Sequence, residues 1–259
     1  MAPTIRSNAA RTAVAVCALA CVLAAPLAAD PAVLVSERGD VTVHPIEHAT
    51  LLLTAGELAI AVDPTGGAAR FASHPDVDLA LVTHVHGDHF DAETLRVLSG
   101  RGARIVAPAA VAEAMDEALR AVTTVLANGE TGTVVGVAVE AVPMYNITEG
   151  RRDRHPKGRG NGYVLTLQGL RIYVAGDTEG VPEMRSLADI DVAFVPMNLP
   201  YTMSVEQAAD AVLDMKPRIV FPYHYRGPDG LADVGRFADL VRAGDAGVEV
   251  RQLDWYPPR

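Results

Sequence analysis

Thr83-His84-Val85-His86-Gly87-Asp88-His89 is the stretch on which the reading of this chain turns. Four metal-competent side chains fall within six residues, directly after the short apolar run Leu79 to Val82. At the end of a strand, side chains alternate with period two, so His84 and His86 share one side. Gly87 lets the backbone turn, and Asp88 and His89 then face a neighbouring point in space. The arrangement suits two adjacent metal ions better than one.

Outward from that stretch, strands and helices mix along a single domain, residues 30–259, with no linker, charge block or fixed-period repeat dividing it. Val41 to His44, Leu51 to Leu53 and Leu58 to Val62 read as paired strands, closed by Asp63-Pro64 and Gly66-Gly67. Asp91 can cap a helix through about Leu98, and the Ala-rich stretch Val111 to Val122 has helical spacing. Val134 to Val142, Tyr163 to Leu167 and Arg171 to Ala175 read as strands, the last two joined by the hairpin signal Gln168-Gly169-Leu170. Asp191 to Val195 and Arg218 to Phe221 are further short strands. Ser204 with Gln207 forms a capping box that opens a helix through about Leu213. A last helix is expected over Leu231 to Val241 and a final strand over Val248 to Leu253. By themselves these patterns give a mixed α/β class: a sheet-rich core with helices on its outer faces.

The histidine stretch resembles the metallo-β-lactamase fold superfamily, and the likeness extends beyond it. His48-Ala49-Thr50, Ala61-Val62-Asp63-Pro64, Ala175-Gly176-Asp177-Thr178 and Pro222-Tyr223-His224-Tyr225 occur in order. Met144-Tyr145-Asn146, Gly162-Tyr163 and Pro196-Met197-Asn198 through Tyr201-Thr202-Met203 resemble the branch of L-ascorbate-6-phosphate lactonase-like and related metal-dependent hydrolases. The resemblance implies a four-layer αββα sandwich. It also implies His84, His86 and a third histidine on one metal, and Asp88, His89 and His224 on a second, with Asp177 between them. His155, the only histidine between the motif and Asp177, is the natural third.

Five imidazoles and two carboxylates, without thiolate, suit two divalent ions, Zn²⁺ first and Mn²⁺ or Fe²⁺ next. Such a pair brings the pKa of a shared water to about 7, giving hydroxide at neutral pH, with Asp88 placed to hold it in line and take its proton. Asp63 reads equally as a carboxylate steadying the motif loop or as a plain turn residue, and His48 as structural rather than part of the cleft. His44 and His74 read as surface residues. Thr178, Asn198, Tyr201 and Tyr223 stand where they could line a cleft. The run Arg151 to Arg159, rich in cations including Arg154 and Lys157, has two open readings: a lip holding an anionic substrate group, or a solvated loop.

The first 29 residues read as a secretory signal peptide: Arg6 and Arg11, an uncharged apolar stretch from Thr12, and a small-residue exit at Ala28-Ala29. Cleavage there would give a periplasmic or secreted chain with no stable membrane insertion; the alternatives are an uncleaved N-terminal anchor and a lipoprotein acylated at Cys21. Cys17 and Cys21 lie inside the leader, so residues 30–259 hold no cysteine for a disulfide or a metal. A formal charge of −10 for the whole chain argues against nucleic acid or an anionic membrane as main partner. The expected function is therefore metal-dependent hydrolysis of an ester-type bond, a phosphodiester or lactone, in a small and anionic substrate. A β-lactam hydrolase is the runner-up. A di-iron redox protein is disfavoured because such proteins usually place a glutamate where His86 stands, and a non-catalytic metal-binding module because the ligand set is complete.

Overall fold

The computed structural model describes residues 30–256, so the leader expected over residues 1–29 lies outside the described residues. The first half contains β1 (Ala32–Leu34), β2 (Val41–Glu47), β3 (Thr50–Ala55), β4 (Leu58–Val62), β5 (Leu79–Leu81), α1 (Ala92–Gly100), β6 (Arg104–Ala107), α2 (Ala109–Ala114), α3 (Glu117–Ala121) and β7 (Thr123–Val125). The second half contains β8 (Thr131–Val134), β9 (Val137–Met144), β10 (Gly160–Leu167), β11 (Leu170–Val174), α4 (Pro182–Arg185), β12 (Val192–Pro196), α5 (Val205–Met215), β13 (Ile219–Tyr223), β14 (Arg226–Gly227), β15 (Gly230–Leu231), α6 (Val234–Gly244) and β16 (Glu249–Val250).

Each half builds one seven-stranded sheet by the same plan. β1 to β4 form an antiparallel meander, and β5, β6 and β7 continue it in parallel. β8 to β11 form the second meander, continued in parallel by β12, β13 and β16. Parallel neighbours need a crossover, which the helices supply, and this puts helices on the outer face of each sheet.

Alternation along the strands separates the layers. Leu51 and Leu53 of β3, with Ile60, Val62, Leu79 and Leu81, join the large core shared with the second sheet. Leu52, Ala59 and Ala61 point the other way, to Leu98 of α1, and Ala80 and Val82 meet Leu95, Val111 and Leu119 under α1, α2 and α3. Val212 of α5 and Phe237 of α6 join the core on the other flank. The result is the αββα sandwich that the resemblance implied.

Several local readings are corrected. The stretch 111–122 is two short helices, not one. Met115 is extended, which lets the Asp116 side chain cap α3 by accepting from the Leu119 N–H. The strand expected over 134–142 is a hairpin, because Val135 and Gly136 both take positive φ (47° and 80°) and reverse the chain. The last helix starts at Val234, where Asp233 caps it, while Leu231 sits in the small ribbon β14–β15. The final strand shrinks to Glu249–Val250.

The parallel strands end at one rim of the sandwich. β4 leads there to Asp63, β5 to the histidine stretch, β11 to Asp177, β12 to Asn198 and β13 to His224, which is the usual place for a ligand site in an open α/β sheet. β10 braces this rim from the second sheet. The Tyr163 hydroxyl donates to the Val82 carbonyl at 2.8 Å, and the Asn161 N–H donates to the Thr83 carbonyl at 2.9 Å. Between these two residues, a Cβ on Gly162 would stand 2.8 Å from the Ala175 carbonyl oxygen and 3.0 Å from that of Val174. Those atoms are backbone and cannot swing away. Gly162→Ala is therefore expected to cost about 1–3 kcal/mol of stability in urea unfolding, the usual scale of an overpacked interior position.

Candidate metal centre

Asp63 is fully buried at φ 47°, directly after β4. Its Oδ1 accepts the Thr83 N–H at 2.7 Å, and its Oδ2 accepts the Thr83 hydroxyl at 2.8 Å and the His89 Nδ1–H at 2.7 Å. A carboxylate only accepts, so His89 carries a proton on Nδ1 and turns Nε2 inward, the nitrogen that a metal would take in exchange for its proton. The steadying role read for Asp63 is the geometry found. The His89 and Phe90 N–H groups both donate to the His86 carbonyl and close the turn. Gly87 takes no positive φ and an added Cβ would meet open space, so, contrary to expectation, the turn does not depend on the glycine.

Around that turn the expected ligands meet. The His84 and His86 rings lie 4.6 Å apart by centroid, and the His155 ring is 5.1 Å from each. The His89 and His224 Nε2 atoms face one another at 3.1 Å. Asp177 stands between the two sets: Oδ1 is 3.4 Å from His89 Nε2 and 3.2 Å from His224 Nε2, while Oδ2 is 3.5 Å from His155 Nε2. Asp88 Oδ2 lies 3.7 Å from His89 and 3.6 Å from His224. All seven residues named from the sequence thus converge, and three groups of their atoms, one including His48, are close enough to hold a cation.

Both ring nitrogens of His155 and Oδ1 of Asp177 are buried without a hydrogen-bond partner. Unpaired buried polar atoms are costly, and a shared cation removes that cost. Nitrogen and oxygen donors without thiolate fit zinc, manganese or iron.

Charge in the cluster is divided unevenly. Burial disfavours the His89 cation, but Asp177 and Asp63 outweigh it and raise its pKa to about 9. Burial, with His89 beside it, pushes His84 well below the ordinary value. Burial likewise lowers His155 and His48. For Asp177, burial acts upward, yet His224 and His89 hold the carboxyl well below its usual range. Asp88 is also lowered, because the His48 contact and His89 overcome its partial burial.

A cavity of about 450 Å³ opens over the cluster. Arg154, Asn198 and Tyr201 line it, as expected; the Arg154 guanidinium lies 4.9 Å over the Tyr201 ring, and Asn198 sits against His224. Lys157 does not reach the cavity. It pairs with Glu183 at 2.6 Å and lies over the Tyr145 ring, beside a different hollow. Two further cations of the run bond to the protein itself: Arg151 pairs with buried Glu179 at 2.9 Å, and Arg152 donates to the Ile147 carbonyl. Three residues were missed as site groups: Glu179, Arg226 and Tyr256. Only Arg226, a cation two residues past His224, had a signal in the sequence that could have found it.

Residues 42–224 match the family described as a beta-lactamase superfamily domain. A UPF0173 metal-dependent hydrolase of Pyrococcus abyssi is 38% identical over 197 residues, covering 72% of this chain and 86% of its own length. A solved structure from Parabacteroides distasonis, named as a metal-dependent hydrolase, superposes with TM-score 0.78 at 38% identity over 88% of this chain and 100% of that one. Igni18, a metallo hydrolase of Ignicoccus hospitalis, superposes with TM-score 0.69 over 85% of this chain and 96% of its own. At 23% identity that last likeness shows the fold alone.

Two predictions follow from the geometry. Asp63→Asn cannot accept from both Thr83 and His89 as a carboxylate does, so divalent-metal affinity should fall about 10- to 100-fold in a competitive chelator titration. The second concerns the metal-free protein. His89 has a folded pKa of about 9 against 6.5 unfolded, so its contribution is fully present below pH 6.5 and lost as pH rises toward 9. The lowered His84, His155 and His48 act oppositely: their contribution is present above pH 6.5 and lost as pH falls below it. Melting of chelator-treated protein should therefore peak near pH 6.5 and decline by pH 9. A flat melting temperature over that interval would show that His89 is neutral.

Proposed function

Since the chain belongs to the β-lactamase superfamily and is a metal-dependent hydrolase, we propose that it is an exported enzyme holding two divalent cations, zinc before manganese or iron, and acting on a phosphodiester or lactone. The observation that carries the dinuclear reading is Asp177: one oxygen faces His89 and His224, the other faces His155, so a single carboxylate serves two nests of imidazoles. The leader-like residues 1–29 support export to the periplasm or beyond.

Cations bound there would lower the pKa of water toward neutrality and polarise the oxygen under attack. The protein's own groups divide the remaining work. Asp88 is the cluster carboxylate open to the cavity, with its side chain 46% exposed against 4% for Asp177. It is therefore the group that can orient an attacking water and take its proton. Asn198 stands against His224 at the inner wall. Arg154, held by the Tyr201 face, places a cation at the mouth for a phosphate or carboxylate of a small anionic substrate.

Metal analysis with a hydrolysis screen over phosphodiesters, lactones and β-lactams tests this reading. Two zinc per chain and turnover of one of the first two classes are expected. His86→Ala should lose at least about 100-fold in kcat/KM, since partners outside the ligand shell alone are worth 10–100-fold. Unchanged turnover in that variant, or hydrolysis confined to β-lactams, would overturn it.

A further inference from the structure

His48 has a nitrogen near enough to Asp88 and His224 to count as a third ligand beside them. Its surroundings assign it another task. His48 occupies the turn between β2 and β3 at φ 59°, a conformation uncommon outside glycine. Its N–H donates to the Trp255 carbonyl at 3.5 Å, and its own carbonyl accepts the His224 N–H at 3.3 Å. Its ring packs edge-on against His224, with centroids 3.9 Å apart. The ring is therefore held from both sides, with each nitrogen facing a defined partner.

Nδ1 lies 2.8 Å from the Tyr256 hydroxyl, and Nε2 lies 3.4 Å from Asp88 Oδ2. The Tyr256 oxygen also lies 3.1 Å from the Arg226 backbone nitrogen, which can only donate. The oxygen accepts from Arg226, and its own proton goes to His48 Nδ1. Nδ1 then bears the lone pair and Nε2 the proton, which points at a carboxylate oxygen that can only accept. The reverse tautomer would set an Nε2 lone pair against that carboxylate, acceptor against acceptor. The Arg226 guanidinium lies 4.0 Å over the Tyr256 ring and holds this tyrosine in place.

We propose that Tyr256 fixes His48 as the Nε2–H tautomer, and that His48 is a positioning residue aiming the Asp88 carboxylate into the cavity rather than a metal ligand. The inference rests on the role given to Asp88 above. A ligand needs its nitrogen lone pair; here the Nε2 position carries a proton directed at Asp88 instead. The 3.4 Å separation is long for a strong bond, as catalytic contacts often are before substrate binds.

Zinc-loaded full chain, His48→Gln, His48→Ala and Tyr256→Phe provide the test. Zinc per chain should equal the wild-type value in all three variants. Long-range ¹H–¹⁵N spectra of the wild type should show His48 protonated at Nε2 and bare at Nδ1, and Tyr256→Phe should abolish that single form. With bis(4-nitrophenyl) phosphate, kcat should fall about 10- to 100-fold in His48→Ala and in Tyr256→Phe, with KM little changed. The Gln amide can still donate to Asp88, so His48→Gln should recover part of the loss. The double variant His48→Ala/Tyr256→Phe should be no slower than His48→Ala. Loss of one zinc on changing His48, a proton found on Nδ1, or additive losses would overturn the proposal. If the wild type itself binds fewer than two zinc, the dinuclear reading fails while the spectrum still decides the tautomer.

Discussion

One fully buried carboxylate sets the geometry on which the centre depends. Asp63 takes the Thr83 backbone, the Thr83 hydroxyl and the His89 ring together, and without those three donors its burial would be prohibitive. The same bonds fix where the loop after β5 leaves the sheet and which nitrogen of His89 faces the cluster. Asp63 also stands at positive φ, as do His48 and His224. Strained backbone recurring at three non-glycine residues of one site is tolerated because each is held from several directions, His48 and His224 partly by one another.

The doubled architecture explains why residues so far apart in sequence meet. Each half is an antiparallel meander followed by parallel strands with outer helices, and each delivers its strand ends to the same rim. The first half supplies Asp63 and the compact histidine stretch. The second supplies single residues from separate strand ends, Asp177 after β11, Asn198 after β12 and His224 after β13, with His155 from the loop between β9 and β10. Tyr163 and Asn161 fasten the two contributions together at Val82 and Thr83.

What could be read from the sequence was whatever is encoded within one or two turns of chain. Asp91 and the Ser204–Gln207 box mark helix starts by side-chain bonds to residues two or three positions on, and both occur as read. The histidine stretch is local in the same sense, and the family resemblance carried the distant ligands. The break at Met115 was invisible because alanine-rich spacing continues through it while Asp116 imposes a cap. The hairpin at Val135 was missed because a β-branched residue rarely takes positive φ. Lys157 illustrates the limit most sharply. Its charge suggested a substrate lip, but charge alone does not tell a cavity from Glu183, and Glu183 lies 26 positions away.

The basic run also changes meaning once its partners are known. Arg151 bonds to Glu179, whose other oxygen accepts the Ile147 and Thr148 N–H groups, and it donates as well to the Thr202 carbonyl. Asn146 ties the same loop to the Arg151 and Tyr201 carbonyls, and its N–H donates to the His155 carbonyl. Most of these polar groups therefore hold His155 and Tyr201 in place; they do not face solvent or substrate. Arg154 and Arg226 differ from the rest: each lies on a tyrosine face, has no carboxylate within ion-pair distance among the described residues, and lines the cavity. Below them, Asp63, Asp88 and Asp177 surround one raised histidine, so the metal-free centre is drawn toward cations. The carboxylates at the floor and the two arginines on aromatic rests thus set opposite charges at the bottom and the mouth of one small cavity.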